Sequence, residues 1–125
     1  MTDWIKTDDF QIYRQLDKNQ YEFVEFLGCS DADSMWYSHG IVDVSEYKDA
    51  DGEWNAEAQD IISSYYRDLE DLRNNCDKEK EDQIVAECIF ESYYHMYCDG
   101  KTQMSEDEAE KYLNDIMAGR ATVKE

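Results

Sequence analysis

Carboxylates are the side chains of this sequence whose type and spacing best suit a functional site. Five acids between residues 53 and 71 recur at helical steps, and at 100° per residue they fall within an arc of about 80°. If one helix spans the segment, they form a stripe about 27 Å long that could contact a basic protein surface. The five acids are Glu53, Glu57, Asp60, Asp68 and Asp71. An N-cap at Asn55 would place Glu53 just outside this helix.

The same carboxylates could in principle form an acid–base pair. Because the chain has 31 acids, a pair at that spacing is expected by chance and predicts no catalytic residue. The sequence has no Gly-rich phosphate loop and no GxSxG turn. Neither His39 nor His95 has an evident partner that would orient it towards a cysteine nucleophile. We therefore predict a protein that is not an enzyme.

Two segments have some features of metal sites. Glu91, His95 and Cys98 lie near one helical face with Cys88 about one turn away, a donor set that zinc accepts. There is no CxxC pair, however, and Cys88 is equally suited to a small core position. The segment DADGEWN (49–55) is similar to a calcium loop, but Ala58 replaces the required last glutamate, which favours an ordinary Asp-Gly turn. We predict no metal ligand and no cofactor, with a zinc site at Cys88, His95 and Cys98 as the alternative.

The first third of the chain predicts a small antiparallel sheet. Segments 8–15 and 21–27 alternate apolar and polar residues around the polar connection DKNQ, a pattern typical of a β-hairpin. A helix that begins at Thr7 is the alternative for the first of these strands. Segment 35–44 predicts a third strand, in which Gly40 marks a bulge, a bend or a break.

The remainder predicts three helices. The first spans 55–76 with an asparagine at its N-cap, and its apolar positions recur every three or four residues. The second spans about 80–98 and ends at Gly100; because its apolar positions cover most of the circumference, we predict that it is the most buried helix. The third spans 105–119 and opens with a capping box, in which a serine is followed by a glutamate three residues later.

Composition indicates a folded chain with one core. Of the 125 residues, 42% are hydrophobic and 14% are aromatic, too many for a disordered acidic chain. We therefore predict one α+β domain over residues 1–125, with three C-terminal helices packed on a small antiparallel sheet. The N-terminus lacks the apolar core of a signal peptide, and four cysteines without such a signal suggest reduced thiols. We expect a cytoplasmic protein.

The net charge of −19 restricts the possible partners. Residues 1–50 carry 11 acids against 4 bases and residues 51–125 carry 20 against 8, so the charge is not confined to a tail. Phosphate contacts need a basic patch, which makes direct binding to nucleic acid very unfavourable. An anionic membrane surface is disfavoured for the same reason.

The predicted stripe is acidic beyond what solubility requires. A solvated helix face normally mixes both signs, since like charges at i,i+4 destabilise a helix, yet only Arg67 interrupts this one. A DNA strand carries about eight phosphates over 27 Å, and the stripe has about half that density. Acids of the later helices could raise the density: Glu87 and Glu91 of the second, or Glu106, Asp107 and Glu110 of the third.

In size, charge and α+β make-up, the chain resembles the small acidic inhibitors of phages and mobile elements, the anti-restriction and anti-CRISPR proteins that act as DNA mimics. The resemblance implies a non-enzymatic inhibitor in a bacterial host cytosol, bound to the basic nucleic-acid-binding surface of a nuclease. Besides the stripe, the predicted contacts are Glu87, Glu91 and Tyr94, an aromatic anchor. The alternative is an acidic interaction module of a mobile element or regulatory system whose charge serves solubility alone.

Overall fold

The computed structural model describes residues 3–28, 34–93 and 103–123. Its centre is a five-stranded sheet in which every neighbouring pair of strands is antiparallel and the spatial order follows the chain order. The strands are β1 (Ile5–Asp8), β2 (Gln11–Asp17), β3 (Gln20–Gly28), β4 (Met35–Asp43) and β5 (Gln103–Met104). The predicted hairpin and third strand are confirmed, and the helical alternative from Thr7 is wrong because Thr7 lies in β1.

Four α-helices accompany the sheet in the described residues. They are α1 (Ala56–Tyr65), α2 (Leu69–Asn75), α3 (Glu81–Tyr93) and α4 (Glu106–Met117), with short 3₁₀ turns at Val44–Tyr47 and Lys78–Lys80. The strands are mostly N-terminal and the helices mostly C-terminal, so the predicted α+β class is confirmed.

The sheet separates two helical layers. Successive residues of a strand point to opposite faces. On one face, Phe23 packs in a core with α1, α2 and α3, and its ring stacks on Phe90 at 4.9 Å between centroids. On the other face, Val24 packs in a second core with Leu113 and the rest of the apolar side of α4. Side chains on α1 and side chains on α4 therefore lie on opposite sides of the sheet.

The single helix predicted over 55–76 is wrong. α1 ends at Tyr65, because Tyr66 is extended (φ −132°, ψ 164°), and α2 starts three residues later. Asp68 is the N-cap of α2, and its side chain accepts a hydrogen bond from the backbone N–H of Asp71. Aspartate often makes such a local bond in competition with a continuing helix. Leu72 of α2 lies in the same core as the buried side of α1.

The other predicted helix signals are largely confirmed. Asn55 caps α1 by accepting a hydrogen bond from the N–H of Ala58 at 2.9 Å. At the start of α4 the capping box is present, with Ser105 Oγ accepting from the Glu108 N–H at 3.2 Å. α3 has more buried residues than any other described helix, as predicted. Its predicted end near Gly100 lies outside the described residues.

Gly40 does not interrupt β4. It pairs with Phe23 in an unbroken register that runs from Gln20↔Asp43 to Gly28↔Met35, so the predicted bulge or break is wrong. β1 and β5 were not predicted. β5 has two residues and pairs through Met35↔Met104, a contact between distant segments that no local pattern reveals.

Candidate functional site

The helix break divides the predicted acidic stripe. Glu57 and Asp60 are exposed on α1, whereas Asp68 and Asp71 lie beyond the break, at the start of α2. The prediction of one helical face 27 Å long is therefore wrong. The acids instead belong to two short helices that are joined by an extended segment.

Glu53 belongs to an ion-paired network. Its Oε2 lies 3.2 Å from a terminal nitrogen of Arg73, whose Nε contacts Glu81 at 2.6 Å. Trp54 Nε1 also donates to Glu81, at 2.9 Å. Burial opposes ionisation of Glu81, but the hydrogen bonds from Arg73 and Trp54 outweigh it and lower its pKa. This network joins the loop before α1 to the last turn of α2 and the start of α3, and Glu53 shares the single positive charge of Arg73 with Glu81.

Asp68 and Asp71 stabilise the N-terminus of α2. Asp68 Oδ1 accepts from the Asp71 N–H at 2.8 Å, and Asp71 Oδ2 accepts from the Arg67 N–H at 3.2 Å. Carboxylates near a helix N-terminus are stabilised by its free N–H groups and by the helix dipole. Their local role is therefore structural, although Asp68 is exposed and keeps its charge accessible.

Glu57 and Asp60 are the predicted site residues most accessible to a partner. Both are exposed, and within the described chain the Asp60 carboxylate has no ion pair or hydrogen bond. Glu57 Oε1 accepts a hydrogen bond from the hydroxyl of Tyr93 on α3. That bond raises the pKa of Tyr93 to about 12, so the phenol stays neutral at physiological pH.

Glu87 and Glu91 lie in a cleft between α1 and α3 and are only partly exposed. The cleft has a volume of about 340 Å³ and is also lined by Tyr65, Tyr66, Ile84 and Cys88. Burial and the charges of Glu91 and Asp8 raise the pKa of Glu87. Both glutamates thus belong to a carboxyl cluster near the sheet.

Glu25, which sequence reasoning missed, is the most perturbed member of this cluster. It lies on the α3 side of β3, and Gln11 Nε2 donates to it at 3.2 Å. Burial, then the charges of Glu91, Asp8 and Glu87, raise its pKa to about 8. Glu25 therefore carries a proton for much of the neutral range. Its position two residues after Phe23 could have marked it as lying on the same face of the sheet as that ring.

The remaining predicted acids occupy the other side of the molecule. Glu106, Asp107 and Glu110 are exposed on α4, which packs on the opposite face of the sheet. They cannot extend a surface formed by α1 and α2. Tyr94 lies outside the described residues.

A buried polar cluster on the α4 side of the sheet was also missed. Glu22 bonds Arg14 Nε at 2.7 Å through one oxygen and His39 Nε2 at 2.8 Å through the other. The guanidinium of Arg14 lies 4.4 Å from the centroid of the Trp4 ring. The expectation that His39 has no orienting partner is wrong. The Arg14↔Glu22 pairing follows from the hairpin register, which was the available signal.

The metal alternatives gain no support from the described residues. No group of three or more His, Cys, Asp or Glu side chains there is arranged to hold a metal ion, and His95 and Cys98 lie outside them. Asp49 accepts from the N–H groups of Asp51 at 2.9 Å and Glu53 at 3.1 Å. With Gly52 at φ 81°, this is the Asp-Gly turn that the sequence favoured.

Cys88 is an inert thiol in this arrangement. It is buried, and burial together with the charges of Glu87 and Glu91 raises its pKa to about 12. A nucleophilic cysteine needs an accessible thiolate in a positively charged environment. Cys88 is instead buried beside acidic side chains, which disfavour its thiolate.

No protein-family model, curated protein or solved structure matches the chain. None of the helices described here is both long enough and apolar enough to cross a membrane. The exposed side chains of the described residues are therefore the remaining indication of function.

The most acidic part of the surface comes from a segment in which acids greatly outnumber bases. Residues 49–72 contain eight acids and one base, Arg67. Within the described residues, Glu53 is the only one of the eight that forms an ion pair. We call the exposed carboxylates of α1 and of the start of α2 the acidic surface; they are Glu57, Asp60, Asp68 and Glu70.

Proposed function

We propose that the protein is a non-enzymatic inhibitor that binds the basic, nucleic-acid-binding surface of another protein, such as a CRISPR or restriction nuclease. The observation that supports the proposal is the acidic surface, whose carboxylates are exposed and lack cation partners among the described residues. Such a surface attracts a basic groove over a distance and occupies it in place of nucleic acid.

The fold does not require the charge of Asp60, whose carboxylate makes no hydrogen bond or ion pair among the described residues. α1 is anchored through Ala58, Ile61 and Ile62, which are buried on the side of the helix that faces the core. A lysine in place of Asp60 would leave those contacts intact and would reduce the repulsion between neighbouring acids, which costs a few tenths of a kcal/mol per pair. The acidity is therefore unfavourable in the free protein and favourable when opposed by a basic partner.

The shape of the acidic surface limits how closely it can imitate a DNA strand. α1 has ten residues and is therefore about 15 Å long, and an extended segment separates it from α2. A straight row of charges at the spacing of a DNA strand is not available over 27 Å. The proposal is accordingly an electrostatic decoy that fits a basic groove.

The direct test is displacement of fluorescent duplex DNA from purified restriction and guide-loaded CRISPR nucleases. A Glu57→Lys/Asp60→Lys variant is compared with Asp107→Lys/Glu110→Lys, which makes the same charge change on the opposite side of the sheet. We expect at least a tenfold loss of displacement in the first variant and less than a twofold loss in the second. Circular dichroism and thermal melting verify that both variants are folded.

Two results would contradict the proposal. If the α1 reversal leaves displacement unchanged, the acidic surface is not the contact. If pull-down from a bacterial lysate recovers only proteins without a basic nucleic-acid site, the class of partner is wrong.

The second candidate is an acidic interaction module whose charge serves solubility. The observation that favours it is the group of exposed acids on α4, which lie away from the acidic surface. The salt dependence of partner binding separates the two. A decoy loses affinity steeply between about 50 and 200 mM salt, by analogy with DNA contacts, whereas binding through apolar contacts does not.

A further inference from the structure

The outer edge of β4 is open at its C-terminal half. β5 pairs with this edge only at Met35 and Trp36, and no described strand lies beside residues 39–43 on that side. We call residues 39–43 the open edge of β4. The backbone of an edge strand is a template for pairing with another strand.

The ladder between β3 and β4 shows which backbone groups of the open edge point outward. The N–H of Val44 donates to the carbonyl of Asn19 at 2.8 Å, in the same register as the strand pair. Bonded and non-bonded positions alternate along an antiparallel ladder, so the even-numbered residues of β4 are bonded to β3. The N–H and C=O groups that point away from β3, with no backbone partner among the described residues, belong to His39, Ile41 and Asp43.

A groove lies beside the open edge. It has a volume of about 130 Å³ and is lined by residues 41–43, by Glu46 and Tyr47 of the 3₁₀ turn, and by α3 through Ile89 and Tyr93. The backbone of β4 is therefore accessible from the side on which an added strand would lie.

Two exposed apolar side chains flank the open edge on opposite faces of the sheet. Ile41 pairs with Glu22 on the α4 face and is 48% exposed, whereas Tyr93 belongs to α3 and is 39% exposed. The side chains of an added strand alternate between the same two faces. One strand at this edge can therefore contact both residues, which a ligand on a single face cannot do.

The charge beside the open edge favours a basic strand. Glu46 lines the groove, and Glu57 accepts a hydrogen bond from the hydroxyl of Tyr93. No Lys or Arg among the described residues forms an ion pair with either carboxylate. A second copy of the chain would bring further acids to this edge, so the net charge of −19 opposes pairing between copies.

We propose that the open edge of β4 binds an extended basic segment of a partner protein as an added strand. Hydrogen bonds to the outward backbone groups supply affinity, and the alternating side chains supply specificity. An apolar residue opposite Ile41 packs on it. The Lys or Arg residues on either side of that apolar residue point to the α3 face, towards Glu57 and the ring of Tyr93.

This inference goes beyond the proposed function, because strand addition does not require a nucleic-acid-binding groove in the partner. The two can be tested separately. Asp60→Lys alters the acidic surface and leaves the backbone of β4 unchanged, so it should weaken DNA displacement without preventing strand addition.

The test is amide hydrogen exchange by NMR, in about 150 mM salt, with the blocked peptide Thr-Lys-Val-Lys-Thr as the probe. At saturating peptide we expect exchange to slow at least fivefold at the outward N–H groups of His39, Ile41 and Asp43. The N–H groups of Gly40 and Val42 should change less than twofold, because they are already bonded to β3. This alternation distinguishes strand addition from binding through side chains.

Two methylated peptides separate backbone pairing from charge. N-methylation of the valine removes the N–H that donates to β4 and should weaken binding at least tenfold. N-methylation of a lysine, whose N–H points away from β4, keeps the same side chains and charge and should weaken binding less than threefold.

A matched pair of protein variants tests the contact with Ile41. Ile41→Thr keeps a β-branched residue in β4 and should weaken binding at least threefold. Ile5→Thr makes the same change at a residue that is 49% exposed on β1, and it should leave binding unchanged. Circular dichroism verifies that both variants are folded.

The proposal is overturned if about 5 mM peptide does not bind, if the two methylated peptides bind equally, or if protection does not alternate along β4. Shift changes confined to the acids of α1 would reject strand addition and leave the proposed function standing. Alternating protection at β4, in a protein that displaces no DNA, would do the reverse. A dimer of the protein alone in sedimentation, with the same β4 amides protected, would assign the edge to a second copy and reject the basic partner.

Discussion

Replacement of Glu25 by glutamine should make the protein more stable at alkaline pH. Glu25 and Glu22 lie on the same strand, and each is 6% exposed, but their surroundings differ. Glu22 is bonded to Arg14 and His39, whereas Glu25 faces the charges of Glu91, Asp8 and Glu87. The pair therefore compares two buried carboxyl groups on one strand, one in contact with basic side chains and one whose pKa is raised by burial and by neighbouring carboxylates.

The size of the expected change in the free energy of unfolding follows from the raised pKa of Glu25. The pKa of Glu25 rises from an ordinary 4.5 to about 8, so the folded protein holds a proton that the unfolded chain releases in this range. The contribution of Glu25 to stability consequently falls as pH rises from about 4.5 to about 8 and is constant above that. The full loss has an upper limit of about 5 kcal/mol, at about 1.4 kcal/mol per pH unit. Glutamine keeps the shape and the neutral state, so the loss should disappear.

The assay is urea unfolding of the wild type, Glu25→Gln and Glu22→Gln at pH 5, 7 and 9. Glu25→Gln should change the free energy of unfolding little at pH 5 and raise it by several kcal/mol, about 2–5, at pH 9. Glu22→Gln should lower it by about 1–3 kcal/mol at pH 7, because the charged hydrogen bonds are weakened. If Glu25→Gln destabilises the protein at pH 9, or leaves the slope with pH unchanged, the carboxyl cluster does not have the energetics argued for it.

Three further predictions concern the elements that position the site. Asp68→Ala removes the N-cap of α2 and should lower the free energy of unfolding by about 1 kcal/mol, measured by urea unfolding, with exposed Glu70→Ala as a control that changes it much less. Phe90→Ala removes a fully buried ring that stacks on Phe23 and should cost about 3–5 kcal/mol in the same assay; a cost below about 1 kcal/mol would contradict the packing of α3 on the sheet. In a variant that retains only Cys88, a thiol reagent at pH 8 should react at the rate of global unfolding, and fast reaction in native buffer would show that this thiol is accessible.

Local patterns in the sequence were sufficient for much of the architecture. Alternation of apolar and polar residues predicted β2 and β3, because a strand places successive side chains on opposite faces of its sheet. The caps at Asn55 and Ser105 were predicted because a short polar side chain satisfies the free N–H groups next to it in the chain. Such signals depend on neighbours in sequence and need no tertiary information.

Local sequence patterns predicted the candidate site less well than the fold. The helical wheel treated 55–76 as one helix, but the extended backbone at Tyr66 and the cap at Asp68 divide it. Glu87 and Glu91 were assigned to an exposed surface by composition alone, although they line the cleft between α1 and α3. The periodicity of acids cannot distinguish a solvated face from a polar cleft, because both accept carboxylates.

The sequence alone determined that this chain is acidic throughout and that it has enough apolar residues for a core. These properties depend only on which residues are present and on their nearest neighbours. The tertiary structure decided which carboxylates pair with a cation, which are buried with a raised pKa, and which remain exposed on α1 and at the start of α2. Those outcomes depend on distances between residues far apart in the chain, and the electrostatic and packing energies follow those distances.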